Sequence, residues 1–208
     1  DHDTALLIWT TKPWTLPGNV GVAVLPNIDY ATARLKNGQQ LIVAKESLQE
    51  VLGKDCEYSI IAEQPGTALQ GLRYQPPYSF LPFHESAHYV VLADFVTTTE
   101  GTGVVHMASA FGADDMEIAR KHNFPVLMTV NERGRFVDEV SPWAGMWVKD
   151  ADVLITEELR DRGLLFKSGT YLHTYPFCWR CNTALLYYAR STWYVATTKH
   201  KHQLVGLN

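Results

Sequence analysis

The stretch GTGVVHMASAFGADD, residues 101–115, decides how the chain folds, because it changes from strand-like to helix-like sequence within one short motif. It contains the apolar run Gly103–Met107, which predicts a buried strand. The Phe-Gly pair that follows predicts a turn. A helix is then predicted over Ala113–His122, with acids in its first turn and bases in its last. Such a corner places the imidazole of His106 near the carboxylate of Asp114 or Asp115.

The sequence before this corner predicts a sheet-rich region. The Asn-Gly pair at positions 37–38 is a strong hairpin signal, because the tight turns between paired strands favour residues that tolerate positive φ. A short helix over Glu46–Leu52 is predicted to end at Gly53. The predicted strands are Ala5–Trp9, Val20–Leu25, Tyr30–Leu35, Leu41–Ala44, Tyr58–Ala62 and His88–Phe95.

The sequence after the corner predicts one more long helix, over Asp150–Arg162, whose apolar and polar residues separate onto two faces. Strand-like sequence follows at residues 170–175 and 184–189. Together these patterns predict a β-rich mixed α/β fold, a β-barrel with flanking helices, over residues 1–168. Residues 169–208 are predicted to form a separate segment.

Size and composition favour one soluble domain, with at most a small appendage. The chain has 208 residues, 46% of them hydrophobic, which suffices to bury a core without disulfides or metals. No apolar run reaches about 18 residues, so no membrane span is predicted, and the N-terminus does not have the pattern of a signal peptide. Both ends look cut from a longer chain.

Charge and cysteine content narrow the possible partners and compartment. The formal net charge is −4, whereas proteins that hold a nucleic-acid duplex by its phosphates are usually basic. Any nucleic-acid contact is therefore predicted to be local, or made mainly by another part of a parent protein. The chain has three cysteines, and this odd number, without a secretion signal, predicts a reducing compartment, the cytoplasm.

The loop WTTKPWTLPGN, residues 9–19, is dense in hydroxyls and is stiffened by two prolines. The hydroxyls of Thr10, Thr11 and Thr15 can each donate and accept hydrogen bonds, which suits a ligand with sugar hydroxyls and a base edge. The alternative is a loop whose threonines only satisfy their own backbone, and composition alone favours this second interpretation.

The corner at residues 106–115 also has two interpretations. In the first, a carboxylate stabilised at the helix N-terminus by about 0.3–1 kcal/mol captures an ammonium group beside His106. In the second, Asp114 and Asp115 only cap the helix, a contribution of about 1 kcal/mol, and His106 is a hydrogen-bonded core residue. The sequence does not decide which aspartate caps.

The motif YPFCWRC, residues 175–181, places Cys178 and Cys181 at a spacing with which two thiolates bind one zinc ion. A closed structural site needs four ligands, and the sequence has no second Cys-x-x-Cys pair. The pair is therefore either half of a zinc site completed outside this chain, or a redox pair. The lack of a thioredoxin-like pattern favours the half zinc site.

These three motifs, in this order and spacing, resemble the connective peptide 1 editing domain of the class I aminoacyl-tRNA synthetases for isoleucine, valine and leucine. The resemblance covers nearly the whole chain, and the histidine followed by Ala-Phe-Gly resembles the isoleucine type. It implies a β-barrel domain that hydrolyses Val-tRNA(Ile) and rejects isoleucine by steric exclusion. The alternatives are an editing domain for valyl- or leucyl-tRNA synthetase, or a degenerate domain that binds the tRNA end without hydrolysis.

The resemblance also implies roles for individual residues. Thr11 and Asp115 are expected to be catalytic, with Asp115 fixing the α-ammonium of the misattached amino acid. His106 is expected to line the pocket for the amino acid side chain. The residues expected to bind substrate are Trp9, Thr10, Lys12, Trp14, Thr15, His106, Phe111 and Asp114.

The implied partners are the 3′ end of tRNA(Ile) carrying valine and the remainder of an ATP-binding parent synthetase, with no membrane. Residues 169–208 would lead back towards its catalytic body. No cofactor is expected for editing, and zinc on Cys178 and Cys181 would need ligands from outside this fragment. Lys12 departs from the family pattern, since it occupies a place usually held by a third threonine. It would add a cation near the substrate ammonium, unless it turns outward to meet a phosphate.

Overall fold

Seven strands, four α-helices and four short 3-10 helices make up the regular structure in the computed structural model, which describes residues 4–53, 56–82, 84–170, 172 and 174–206. The strands are β1 (Thr4–Leu6), β2 (Gly21–Val24), β3 (Asp29–Leu35), β4 (Gln40–Ala44), β5 (Tyr58–Pro65), β6 (Val90–Leu92) and β7 (Val104–Met107). The helices are α1 (Leu48–Leu52), α2 (Ala113–His122), α3 (Val148–Asp161) and α4 (Thr197–Gly206).

The first sheet is four-stranded, in the order β1-β4-β3-β5. β3 and β4 form the predicted hairpin, and Gly38 at its turn has φ +91°, a conformation that glycine adopts without steric penalty. β5 pairs antiparallel with β3 and contains an irregularity opposite Thr32 and Ala33, while β1 runs parallel to β4. The predicted strand at Ala5–Trp9 is shorter and begins earlier, at Thr4.

The second sheet is three-stranded, in the order β6-β2-β7, and it carries the corner motif. β2 runs antiparallel to β7, so that Val22 lies opposite His106. The two sheets touch where the N–H of Trp9 donates to the carbonyl oxygen of Val104 at 3.3 Å and the N–H of Ala44 donates to that of Thr102 at 2.9 Å.

The strands do not close into the predicted β-barrel. The class, mixed α/β, is as predicted, but the hydrogen-bonded ladders form two separate sheets. Closure needs continuous pairing around a ring. β5 instead lies at the outer edge of the first sheet, and most of its residues are exposed on both faces. A strand pattern in the sequence predicts that strands form, but not which edges meet.

Helix α3 anchors the loop that follows β1. Its buried residues, Val148, Ala151, Ile155 and Leu159, recur three or four positions apart and therefore form one apolar face. This face belongs to a core cluster that also contains Trp14 and Phe111. The tight turns of residues 13–18 and the corner motif are thereby fastened to the same core.

Residues 169–206 contain less strand and more helix than the sequence predicted. Residues 170–175 and 184–189 were expected to be strands, but the described residues there make only one isolated bridge, between Phe177 and Ala184. Tyr171 and His173 lie outside the described residues. Helix α4 was not predicted, and none of its residues is buried, so no tertiary packing stabilises it here. No helix in the described part of the chain is both long and apolar enough to cross a membrane.

Candidate functional site

The threonine-rich loop and the strand-to-helix corner open onto one cavity of about 420 Å³. The loop supplies one side and the end of β7 with the start of α2 supplies the other. Tyr187, from the segment after the cysteine pair, completes the lining. The predicted site residues that line it are Trp9, Thr10, Thr11, Lys12, Thr15, His106, Phe111, Asp114 and Asp115.

The loop uses two of its threonines to hold its own backbone. The hydroxyl oxygen of Thr10 accepts the N–H of Lys12 at 3.0 Å, and the hydroxyl of Thr15 donates to the carbonyl oxygen of Lys12 at 2.8 Å. The hydroxyl of Thr11 lines the cavity and has no hydrogen-bond partner among the described residues. Of the three threonines, Thr11 therefore has its hydroxyl available for a ligand.

Trp14, predicted to bind substrate, lies beneath the cavity rather than in its lining. Its indole is fully buried and packs edge-on against Phe111, with ring centroids 5.0 Å apart. Its backbone N–H donates to the carboxylate of Asp152 on α3 at 2.9 Å. Trp14 therefore holds the loop against the core.

His106 is buried, and both of its ring nitrogens are hydrogen-bonded. Nδ1 lies 2.8 Å from Nδ2 of Asn19, which is a donor, so Nδ1 accepts and carries no proton. Nε2 lies 3.0 Å from the hydroxyl oxygen of Thr15. Because that hydroxyl donates to Lys12, Nε2 carries the proton and donates to it. Burial lowers the pKa of His106 to about 4, so the ring is neutral at pH 7.

Asn19 and Tyr74 are parts of this site that sequence reasoning missed. The amide of Asn19 donates to His106, and its oxygen accepts the hydroxyl of Tyr74 at 2.6 Å. Asn19 ends the quoted loop, so its place in the motif could have signalled a role. Nothing in the sequence around Tyr74 indicates that it reaches the site.

Asp115 is fixed at the base of the cavity. Its Oδ2 accepts the N–H of Ala108, just after β7, at 2.8 Å. Burial raises the pKa of Asp115 to about 6, although this hydrogen bond and the cation of Lys12 oppose the shift. Asp114 is exposed, and no side chain caps α2 at its N-cap residue, Gly112. The interpretation that both aspartates only cap the helix therefore does not describe Asp115, which bridges the helix to the end of the strand.

Lys12 turns into the cavity rather than outward. It is half-buried, and its ammonium lies 5.5 Å from the ring centroid of Tyr187. Burial and the charge of Lys149 lower its pKa, while Asp115 opposes this. The cavity thus holds a cation on its loop side and carboxylates on its helix side.

The cysteine pair forms a tight hairpin separate from the cavity lining. The N–H of Cys178 donates to the carbonyl oxygen of Thr183 at 2.8 Å, and the N–H of Asn182 donates to that of Cys178 at 2.8 Å. The described residues contain no group of three or more side chains that could hold a metal ion. Cys178 and Cys181 supply two thiols where structural zinc needs four ligands, so the residues described here do not form a zinc site.

No family model matches the chain, but its sequence is similar to isoleucine–tRNA ligases. It is 42% identical over 205 residues to the ligase of Clostridium kluyveri and 45% identical over 205 residues to that of Thermus thermophilus. These alignments cover 99% and 98% of this chain but 19% of each ligase. The chain thus spans about a fifth of the length of the relatives it matches.

Solved structures that share the fold include the following two. GlLeuRS-CP1 has a TM-score of 0.65 and 18% identity, covering 80% of this chain and 84% of that chain. The cytosolic leucyl-tRNA synthetase editing domain of P. knowlesi has a TM-score of 0.59 and 14% identity, covering 89% of this chain and 84% of that chain. The chain is therefore homologous, over nearly its whole length, to one segment of the isoleucine–tRNA ligases, and it has the fold of the leucyl-tRNA synthetase editing domains.

Proposed function

We propose that this chain is the editing domain of an isoleucyl-tRNA synthetase and hydrolyses the ester that joins valine to tRNA(Ile). The relatives named isoleucine–tRNA ligase and the editing-domain fold support the class of protein. The observation that carries the reaction is geometric: Thr11, His106 and Asp115 all line one cavity. The proposed partners are the 3′ end of tRNA(Ile) carrying valine and the remainder of the parent synthetase.

Asp115 is suited to bind the α-ammonium of the aminoacyl ester. Its pKa of about 6 leaves it largely ionised at pH 7. The N–H of Ala108 holds one oxygen, so the carboxylate meets the ammonium without first losing side-chain freedom. A charge-assisted hydrogen bond of this type is stronger than a neutral one.

The threonine-rich loop is suited to hold the ribose and the ester. The hydroxyl of Thr11 can donate to the ester or to the attacking water, while Thr10 and Thr15 keep the loop in shape. In the proposed reaction, the oxygen of water bonds to the ester carbonyl carbon, and the bond from that carbon to the ribose oxygen breaks. The tRNA leaves with a hydroxyl, valine leaves as a carboxylate, and one proton is released. Positioning of water against the ester supplies most of the rate enhancement.

His106 is suited to form the wall that excludes isoleucine. Because both ring nitrogens are bonded, the ring cannot turn aside to admit a larger side chain. Forcing one extra methylene against such a wall costs about 1–3 kcal/mol. In an apolar aminoacylation pocket, isoleucine and valine differ in binding free energy by only about 1–3 kcal/mol. Isoleucyl-tRNA synthetase is itself the standard example of that limit.

The test is deacylation of Val-tRNA(Ile) and Ile-tRNA(Ile) by the full-length ligase that contains this chain. The wild type is expected to deacylate the valine ester and spare the isoleucine ester. Asp115→Asn keeps the shape of the side chain and removes its charge, so deacylation is expected to fall at least about tenfold, the equivalent of 1.4 kcal/mol. Glu117→Gln removes an exposed charge from the same helix and is the matched control. Near-normal deacylation by Asp115→Asn would refute the role of this carboxylate.

The position of Lys12 favours a second candidate, a domain that binds the tRNA end without hydrolysing the ester. Its ammonium shares the cavity with Asp115 and would repel the substrate ammonium. On this alternative, a non-hydrolysable valyl-adenosine analogue binds, as measured by calorimetry, while the wild type shows no deacylation. Lys12→Thr is then expected to gain hydrolysis, and no gain would count against the alternative.

The cysteine pair is proposed as half of a structural zinc site whose other ligands belong to the parent synthetase. The hairpin presents Cys178 and Cys181 close together near the protein surface. Metal analysis of the full-length ligase, compared with its Cys178→Ser variant, tests this. Equal zinc content in the two proteins would contradict the assignment.

A further inference from the structure

We propose that Tyr74 is a positioning residue, which fixes the tautomer and orientation of His106 by holding the amide of Asn19. That His106 excludes isoleucine, and so matters for selectivity, rests on the proposed editing function. The positioning itself rests on the geometry of the side chains and is tested separately below.

Tyr74 lies outside the cavity, and the backbone around β6 holds it in place. Its N–H donates to the carbonyl oxygen of His88 at 3.2 Å, and its ring packs edge-on against the imidazole of His88 at 6.1 Å. The ring of His88 in turn lies with Nε2 3.1 Å from the carbonyl oxygen of Asn19. Tyr74 therefore contacts the side-chain amide of Asn19, and His88 contacts its backbone carbonyl.

The amide of Asn19 has one orientation that satisfies all its neighbours. Its oxygen accepts the hydroxyl of Tyr74 at 2.6 Å. Its nitrogen donates to the carbonyl oxygen of Gly21 at 3.0 Å and to Nδ1 of His106 at 2.8 Å. A rotated amide would turn its oxygen towards the carbonyl of Gly21, so that two acceptors face each other. Its N–H groups would face the hydroxyl of Tyr74, which can accept them but then loses the acceptor for its own proton. The glycine carbonyl thus selects the donor that faces His106, and the tyrosine hydroxyl strengthens that preference by donating to the amide oxygen.

The orientation of the Asn19 amide also determines the hydrogen bonds of the threonine-rich loop, because His106 is bonded to both. With Nδ1 accepting, Nε2 carries the proton and donates to the hydroxyl of Thr15 at 3.0 Å, and that hydroxyl donates to the carbonyl oxygen of Lys12. If the amide of Asn19 rotates, Nδ1 must carry the proton and Nε2 becomes an acceptor. The hydroxyl of Thr15 must then donate to Nε2 and release the carbonyl of Lys12. Tyr74 therefore acts on both sides of the cavity without lining it.

Tyr74→Phe removes the hydroxyl and keeps the ring. Tyr78→Phe is the matched control, because the hydroxyl of Tyr78 also donates to a side-chain oxygen, that of Glu158, at 2.6 Å in a partly buried hydrogen bond. Tyr78 has no contact with Asn19 among the described residues. A general loss of packing or of one partly buried hydrogen bond would affect both variants alike, whereas loss of positioning would affect only Tyr74→Phe.

The direct readout is the tautomer of His106, measured by the ¹⁵N chemical shifts of its ring nitrogens in this 208-residue chain. The wild type and Tyr78→Phe are expected to show a single Nε2–H form. Tyr74→Phe is expected to show both tautomers, because the carbonyl of Gly21 alone then selects the orientation of the amide. An unchanged single Nε2–H form in Tyr74→Phe would overturn the proposal. This measurement does not depend on any catalytic activity.

The second readout is selectivity in the full-length ligase. The ratio of kcat/KM for Val-tRNA(Ile) over Ile-tRNA(Ile) is expected to fall about fivefold in Tyr74→Phe, the effect of losing one hydrogen bond of about 1 kcal/mol. An equal ratio in Tyr74→Phe and Tyr78→Phe would overturn the link to selectivity. A wild-type ligase that does not deacylate Val-tRNA(Ile) would instead refute the proposed function, while the tautomer result would stand.

Discussion

Replacing Gly112 with alanine tests whether the carboxylate of Asp115 must stay where the structure holds it. A Cβ atom at position 112 would lie 2.9 Å from both Cγ and Oδ2 of Asp115, which is inside van der Waals contact. The backbone at Gly112, with φ −145° and ψ 140°, is open to alanine, so the effect comes mainly from this contact. Asp115 would have to move, and the hydrogen bond that it accepts from the N–H of Ala108 at 2.8 Å would weaken or break.

The expected loss of stability follows from the carboxylate of Asp115, which loses its hydrogen-bond partner. A hydrogen bond to a charged group contributes about 1.5–3 kcal/mol, so we expect the free energy of unfolding to fall by about 2 kcal/mol. For a domain of this size that is a decrease in Tm of about 4–8 °C. The same displacement moves the carboxylate away from the substrate ammonium, so kcat/KM for Val-tRNA(Ile) deacylation is expected to fall at least about tenfold.

Gly169→Ala is the matched control for this substitution. A Cβ at position 169 meets nothing within 4 Å, so this variant changes only the conformational entropy of the unfolded chain. That change raises the free energy of unfolding by about 0.4–1 kcal/mol. Thermal unfolding is followed by circular dichroism, and deacylation is measured with the full-length ligase. If Gly112→Ala matched Gly169→Ala in both Tm and deacylation, the claim that the position of Asp115 matters would be refuted.

Three further predictions concern the ionisation of the site, its selectivity and its support. Burial raises the pKa of Asp115 to about 6, and only the ionised carboxylate attracts an ammonium. We therefore expect kcat/KM for deacylation to rise with pH through about 6 and then level off. A flat profile through this range would contradict the role of Asp115. His106→Ala removes the wall, so deacylation of Ile-tRNA(Ile) is expected to rise about tenfold or more, since a steric overlap of about 1–3 kcal/mol is relieved; continued protection of the isoleucine ester would show that another group excludes it. Tyr30→Phe removes the hydroxyl that accepts the N–H of Leu25 at 2.9 Å and donates to the carbonyl oxygen of Gly103 at 2.7 Å. Urea denaturation is therefore expected to show that the free energy of unfolding falls by about 1–3 kcal/mol. An unchanged midpoint would argue against this role.

Elements stabilised by local interactions were predicted well from the sequence. The bounds of α2, Ala113–His122, agree with the structure, because acidic residues near its start and basic residues near its end mark both termini. The hairpin between β3 and β4 also agrees, since the Asn-Gly pair fixes its turn. Residues 184–189 had an equally strand-like sequence, but no neighbouring strand pairs with them in the described part of the chain, so no strand forms.

The motifs in the sequence also identified most of the cavity lining. Thr11, Lys12, His106 and Asp115 were singled out because of residue type and spacing, and all of them line the cavity. Their individual surroundings were not predictable. Trp14 has the same motif context as Trp9 but is buried against Phe111, and Lys12 turns inward beside Tyr187, which lies 175 positions further along the chain.

The sequence by itself determined the residue types of the site and the local elements that carry them, because periodicity, turn chemistry and helix ends act over a few neighbouring positions. Only the tertiary structure decided that two open sheets form instead of a closed barrel, and that Tyr74, Asn19 and His106 are hydrogen-bonded in a row. These contacts join residues 55 and 87 positions apart, and the alternation of apolar and polar residues does not specify such partners. The physical reason is that a buried polar group must find a partner wherever the packed chain places one, and that place depends on how all the elements assemble.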